Sequence, residues 1–147
     1  MSFLNRIMDK NANLIEFLKR AVGYSLTGDV SEQCLFIFFG SGANGKSTFL
    51  RTVNMLMGDY SQQTATETLL VKQKGAIPND IARLKGARFI TASEAEAEQR
   101  LAESLIKQMT GGDIISARFL HQEWFDFEPT YKIFLGINHK PVIKGTD

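Results

Sequence analysis

Cysteine is nearly missing from this 147-residue chain. Cys34 stands alone, so no internal disulfide can form, and the composition points to a reducing compartment. The thiol is expected to belong to the core. An excess of charge of one sign is missing as well: Lys and Arg number 17 against 16 Asp and Glu, a net charge of +1. No global positive field therefore draws nucleic acid or an anionic membrane, and any polyanion site must be local. Apolar runs reach only about five residues, far short of the roughly 20 that span a bilayer, and no signal-peptide pattern precedes Asn5 and Arg6. These features predict a soluble, cytoplasmic protein with no membrane partner. Internal repeats and low-complexity tracts are lacking. With 44% hydrophobic and 22% charged residues, the composition is that of an ordinary globular chain, long enough for one domain with a proper core and too short for two.

Apolar residues at Leu4, Ile7, Met8, Leu14, Ile15, Leu18 and Val22 follow the helical period, which predicts a helical lead-in from Phe3 to about Leu26, with a break near Asn11 and Asn13 and a stop at Gly28. Leu35 to Phe39 reads as a strand buried on both faces, because five consecutive apolar residues leave no wet side. After the Gly-rich stretch Gly40 to Thr48, helical spacing resumes at Phe49, Leu50, Val53, Leu56 and Met57 and ends at Gly58. Tyr60 to Gly75, rich in Thr and Gln, reads as irregular. Pro78 opens a short helix through Leu84, Gly86 stops it, and Phe89 to Ala92 forms an inner strand ending at Ser93 and Glu94. A helix from about Glu96 to Met109 buries Leu101, Leu105, Ile106 and Met109 and stops at Gly111 and Gly112. Strands then follow at 114–119, 123–127 and 132–137. Strands alternating with helices predict an α/β layer structure with largely parallel inner strands and a hairpin at 114–127 standing apart.

The segment Gly40-Ser41-Gly42-Ala43-Asn44-Gly45-Lys46-Ser47 fits G-x-x-x-x-G-K-[ST], in which glycines let the backbone curl and point successive N–H groups at a phosphate. In that chemistry Lys46 neutralises β- and γ-phosphate oxygens, the Ser47 hydroxyl binds Mg²⁺, Thr48 adds a phosphate contact, and the positive end of the following helix strengthens the field. An accidental match somewhere in a chain of this length has a chance of about 0.5%, and this match also sits between a strand and a helix, as the motif requires. Nucleotide binding is the firm expectation.

The class of nucleotide protein is narrower. Guanine recognition needs N-K-x-D, and Asn138-His139-Lys140-Pro141 lacks it; Thr110-Gly111-Gly112-Asp113 is not the signature of an ABC-type ATPase. An ATPase also needs a carboxylate at the end of a neighbouring strand to hold Mg²⁺ through water, and Glu94 is the candidate. Glu96 and Glu98 read better as first-turn helix carboxylates. Asn138, at the end of the 132–137 strand, could bond a γ-phosphate and the lytic water as a sensor; its plainer reading is a turn residue before Pro141. A small-molecule or nucleotide kinase stays open, against which stands the shortage of arginines after Arg118. So does a non-catalytic nucleotide-binding module.

Taken together, GSGANGKSTFL, RFITASEAE and IKQMTGGDIISARFLHQEWFDFEPTYKIFLGINHKP resemble the superfamily III helicase domain of phage and plasmid primase-helicases, over about residues 33–143. The resemblance implies a P-loop NTPase of AAA+-like kind: a three-layer α/β/α core at 33–147, a projecting β-hairpin, and a helical lead-in at 1–32. It makes Lys46, Glu94 and Asn138 catalytic, and Gly40, Ser41, Gly42, Ala43, Asn44, Gly45, Lys46, Ser47 and Thr48 the binders of ATP. Ser47 and Glu94 become the Mg²⁺ ligands. It further implies a hexamer on single-stranded DNA, a primase domain in cis or trans, and a phage- or plasmid-encoded protein in a bacterial cytoplasm. The hairpin would grip DNA through Arg118 and His121, with Lys107 as a further contact, while Phe119, Trp124, Phe125 and Phe127 serve mostly to pack it.

One element of the family pattern is not found. An arginine finger is expected after the sensor strand, and Lys144 is the basic residue after Pro141. The expectation is an incomplete motor module that binds nucleotide and turns over poorly alone.

Overall fold

Asn11 divides the first helical stretch. The computed structural model describes residues 2–71, 79–93 and 100–143. Within them the lead-in is two helices, α1 (Ser2–Ile7) and α2 (Ala12–Ser25). The Asn11 side chain accepts the Leu14 N–H at 3.1 Å, the bond that favours Asn at a helix start. Asp9 and Lys10 have left-handed backbone, φ 47° and 56°, so the apolar face turns at this elbow.

Among the described residues the strands in chain order are β1 (Leu35–Phe39), β2 (Ser61–Gln63), β3 (Phe89–Ser93), β4 (Ile115–Ala117), β5 (Phe125–Phe127) and β6 (Lys132–Ile137). Helices α3 (Lys46–Met57), α4 (Asn79–Ala82) and α5 (Glu103–Thr110) lie between them. Strands β1, β6, β3 and β2 form a parallel sheet in that order, and β4 and β5 an antiparallel pair beside it. The fold is α/β with mixed pairing. Phe38 of β1 and Ser93 of β3 both lie opposite Gly136 of β6, so three strands deliver their carboxyl ends to one edge of the sheet.

Alternation along the strands sorts the core into two layers. On one face Leu18 and Ala21 of α2 and Phe49, Leu50 and Val53 of α3 meet Phe89 and Phe134. Phe134 is fully buried, with ring centroids 4.6 Å from Phe36 and 4.5 Å from Phe89, pairs that contribute about 0.5–1.5 kcal/mol each beyond simple burial. On the other face Ile90, Ala92, Ile133, Leu135 and Ile137 meet α4, Met109 of α5 and the base of the hairpin.

Several expectations need correction. Strand β1 is not buried on both faces: Ile37 is 38% and Phe39 50% exposed. It is an edge strand among the described residues, and the layer beneath it reaches Leu35 but not the other two. The helix expected from Glu96 starts at Glu103, because the backbone before it is engaged elsewhere. Leu101 N–H donates to Val142, Ala102 N–H to Leu69, and the Arg100 carbonyl accepts from Val71. Glu96, Glu98 and Pro78 lie outside the described residues. The irregular 60–75 stretch contributes β2, a short polar strand paired to β3. The hairpin strands are shorter than read, pairing only from Ile115↔Phe127 to Ala117↔Phe125.

A buried lysine ties the helical lead-in to the sheet. Lys132, 2% exposed, donates to the carbonyls of Thr27 and Asp29 at 2.6 and 2.9 Å and lies 4.5 Å from the Tyr24 ring centroid. Burial holds its ammonium below the usual lysine range. Arg88 adds a bond to the Leu26 carbonyl at 2.6 Å. Arg88 thus meets the carbonyl of the α2 cap, where a helix end favours a cation, and Lys132 holds the turn that follows.

Candidate functional site

The loop between β1 and α3 is fixed at its start by Gly40, whose N–H donates to the Ile137 carbonyl at 3.3 Å. The loop then curls through left-handed conformations at Ala43, φ 58°, and Gly45, φ 90°. A non-glycine residue in that region is strained, a cost that persists only where the surroundings fix it. Gly45 is also the residue before the helix, and a Cβ on it would stand 2.6 Å from the Ile7 side chain. As helix cap it offers no side-chain acceptor; Asn44 Oδ1 accepts the Lys46 N–H at 3.4 Å, and the positive end of α3 borders a cleft that Asn138 also lines.

Lys46 begins α3 and folds back over the loop. Its ammonium donates to the carbonyls of Gly40 and Ser41 at 2.5 and 3.2 Å, to Asn44 Oδ1 at 3.1 Å, and to Asn138 Oδ1 at 3.0 Å. All four acceptors are neutral. An ammonium ringed by uncharged oxygens keeps its full charge available to an anion. The last of these bonds joins residues 92 positions apart, bringing together Lys46 and Asn138, which sequence reading had selected separately.

These groups border a cleft of about 310 Å³, lined by Gly42 to Thr48 with Leu50, Ser93, Gly136 and Asn138. Gly136 keeps the floor open: a Cβ there would press against Leu50 at 3.1 Å. Ser47 and Thr48 are exposed on it. Ser93 ends β3 at the cleft, and its carbonyl accepts the Thr66 hydroxyl at 2.8 Å. Thr66, nearly fully buried, sits in a segment that sequence reading left irregular, and a buried threonine among exposed Gln and Glu gives no periodic signal. Glu94, the expected carboxylate, lies outside the described residues, as do Lys144 and the rest of 144–147. Among the described residues no group of three His, Cys, Asp or Glu side chains converges as a metal site.

The hairpin carries the other expected residues. Its base is docked by Ile115, Ala117 and Phe127 in the core and by Lys85, 4.8 Å from the Phe125 ring centroid. Its tip, 118–124, is exposed throughout. Arg118 lies 4.8 Å from the Trp124 ring centroid, and His121 has left-handed backbone, φ 61°. The Leu120 N–H donates to Asn79 Oδ1 at 3.0 Å, tying the tip to α4. Lys107 is exposed in the last turn of α5, on a different element. Cys34 is half-buried, and burial pushes its thiol up, which suits an inert core residue. No helix among the described residues is long and apolar enough to cross a membrane.

Comparison with known proteins adds ancestry to this geometry. The chain is 31% identical over 147 residues to the putative helicase L207/L206 of Acanthamoeba polyphaga mimivirus, covering 99% of this chain and 15% of that protein. It is 28% identical over 121 residues to the putative primase C962R of African swine fever virus (isolate Warthog/Namibia/Wart80/1980), covering 80% and 13%. The chain thus spans only a small part of these curated relatives, whose names divide between helicase and primase. Its fold matches the A-form apo structure of the C-terminal region of NrS-1 with a TM-score of 0.74 at 10% identity, over 96% of this chain and 33% of that one. These likenesses link the chain at superfamily level to viral and phage primase-helicase proteins. Residues 38–147 match the family described as "Family of unknown function (DUF5906)", and the chain belongs to that family.

Proposed function

We propose that this chain is the nucleotide-binding core of a replicative DNA motor: an AAA+-like P-loop ATPase that binds ATP with Mg²⁺ and acts on single-stranded DNA as part of a hexamer. The observation that carries the reading is the meeting of Lys46 and Asn138 at 3.0 Å, above a curled loop at the carboxyl ends of parallel strands. Open α/β sheets bind their ligands at that edge. In this reading Lys46 exchanges its four neutral oxygens for β- and γ-phosphate oxygens, and Ser47 offers its hydroxyl to Mg²⁺. Glu94, next after Ser93 at the cleft, orients water toward the γ-phosphate, and the Asn138 amide bonds the phosphate or that water. Bound Mg²⁺ supplies charge neutralisation on the phosphate oxygens.

The hairpin is the DNA-contacting part, with the Arg118 guanidinium for backbone phosphate and His121 at the tip. Lys107 is a further contact in this scheme. The helicase and primase names of the relatives support a replication role, with a primase domain as partner in cis or trans.

Two variants test the proposal by ATP-analogue titration, single-strand DNA binding, and phosphate release with and without DNA. Lys46→Ala abolishes ATP binding, whereas Arg118→Ala leaves ATP binding intact and weakens DNA binding. Equal loss of ATP by both refutes the hairpin assignment. Phosphate transfer to a soluble acceptor without DNA dependence makes the protein a kinase instead.

A further inference from the structure

The Gly40 to Thr48 loop has a second side, and α1 lies across it. Phe3, Arg6 and Ile7 enclose with Ala43, Asn44, Gly45 and Thr48 an open cleft of about 710 Å³. Four of those residues, Ala43, Asn44, Gly45 and Thr48, also line the cleft that holds Lys46 and Asn138. The two clefts therefore adjoin, with the loop as their shared wall. The contact with α1 is close: a Cβ on Gly45 would stand 2.6 Å from Ile7 Cγ2 and 3.3 Å from Phe3 Cζ.

The two clefts differ in chemistry. The first presents an ammonium, a carboxamide and two hydroxyls at Lys46, Asn138, Ser47 and Thr48. The second adds an aromatic ring, a branched aliphatic chain and a guanidinium. Thr48 lines both clefts, so a chain of phosphates laid from Lys46 along the loop to Thr48 comes to a residue that also borders the cleft under α1. The apolar cleft between α2 and the β1 edge shares Ile7 and Asn44 with the α1 cleft and also takes in Lys46, but neither Thr48 nor Arg6 lines it.

We propose that the cleft under α1 takes the nucleobase and ribose of the bound nucleotide, with Phe3 and Ile7 against the base plane and Arg6 over it or on its ring nitrogens. This rests on the phosphate-loop reading and adds the residues that distinguish a nucleotide from a bare polyphosphate. A planar, weakly polar base gains from aromatic and guanidinium contacts. Among the described residues that line this cleft none is a carboxylate, so they set no like charge beside the phosphates.

The experiment compares ATP with inorganic tripolyphosphate, both with Mg²⁺, by calorimetric titration of the full chain and of Phe3→Ala, Arg6→Ala and Lys46→Ala. Arg6 is exposed, so its replacement leaves the core intact, and melting curves monitor folding of each variant. The expected result is a loss of about tenfold in ATP affinity for Phe3→Ala and Arg6→Ala with tripolyphosphate binding unchanged, while Lys46→Ala loses both ligands. Arg6→Ala and Phe3→Ala binding ATP as the wild type does overturns the assignment alone, as does parallel loss of both ligands in a folded variant. A wild-type chain that binds neither ligand overturns the phosphate-loop reading and this assignment together.

Discussion

Replacing Asn138 by Ala is expected to separate binding from turnover, and the separation follows from the bonds around Lys46. The ammonium rests on four oxygens at 2.5–3.2 Å, and an arriving phosphate must take it from them. A hydrogen bond to a charged group contributes about 1.5–3 kcal/mol; Asn138 is exposed, so water replaces part of this and the net is about 1 kcal/mol. Losing that competitor eases phosphate capture by at most about fivefold. The same substitution removes the amide that would bond the reacting phosphate or its attacking water, a loss of about 10²–10³ in rate for one transition-state donor. Affinity for a non-hydrolysable ATP analogue should therefore hold steady or rise slightly while phosphate release, assayed with single-stranded DNA present, falls by two to three orders of magnitude. Asn138→Asp should behave oppositely in binding, because a carboxylate beside Lys46 occupies its charge and repels the triphosphate. Affinity and turnover falling in equal proportion in Asn138→Ala would refute the reasoning, since Asn138 would then be an ordinary binding group.

Two further outcomes concern stability. Gly45→Ala places a Cβ against Ile7 and holds Ala in a left-handed conformation, a strain of about 1–2 kcal/mol; chemical denaturation should register at least that loss, with nucleotide binding weakened through displacement of α1. Tyr131 is 1% exposed and its hydroxyl has no hydrogen-bond partner among the described residues, so Tyr131→Phe should stabilise the fold by about 1–2 kcal/mol at neutral pH. Burial also pushes the Tyr131 hydroxyl above its ordinary value of 10.0. Its folded state thus keeps a proton that the unfolded state releases, and wild-type stability falls as pH rises beyond 10.0 toward the folded value. The stability gap between variant and wild type should widen over that range, and a gap that narrows contradicts the burial argument.

What the sequence revealed and what it hid divide along chain distance. The loop was legible because its meaning lies in one short spacing, from Gly40 to Ser47, and the inner strands β3 and β6 because they are mostly apolar. The break near Asn11 and the helix ends at Gly58, Gly111 and Gly112 were legible for the same local reason, though Asn11's part as a cap was not. The exposure of Ile37 and Phe39 was not, since an apolar run carries no record of whether its strand lies at the centre or edge of a sheet. β2 escaped because Ser61, Gln62 and Gln63 show no apolar alternation; their strand is made by its pairing with β3. Lys132 opens the 132–137 strand with nothing in the sequence to mark its burial; the carbonyls that solvate it come from Thr27 and Asp29, more than 100 positions earlier. Phe3, Arg6 and Ile7 looked like one more amphipathic turn, and nothing in their spacing announced the loop some 40 residues away.

The outer side of β1 has a consequence for anyone preparing this protein. Leu35-Phe36-Ile37-Phe38-Phe39 has a strand partner on one side only among the described residues, and its unpaired amides and carbonyls form a ready template for another chain. No lysine, proline or bulge interrupts it. Solutions of the isolated chain should tend to self-associate by strand addition as concentration rises, and any soluble assembly must occupy, shield or charge that border. A lysine in place of the half-exposed Phe39, whose side chain already lies 5.3 Å from the ammonium of Lys140, is the simplest gatekeeper to try.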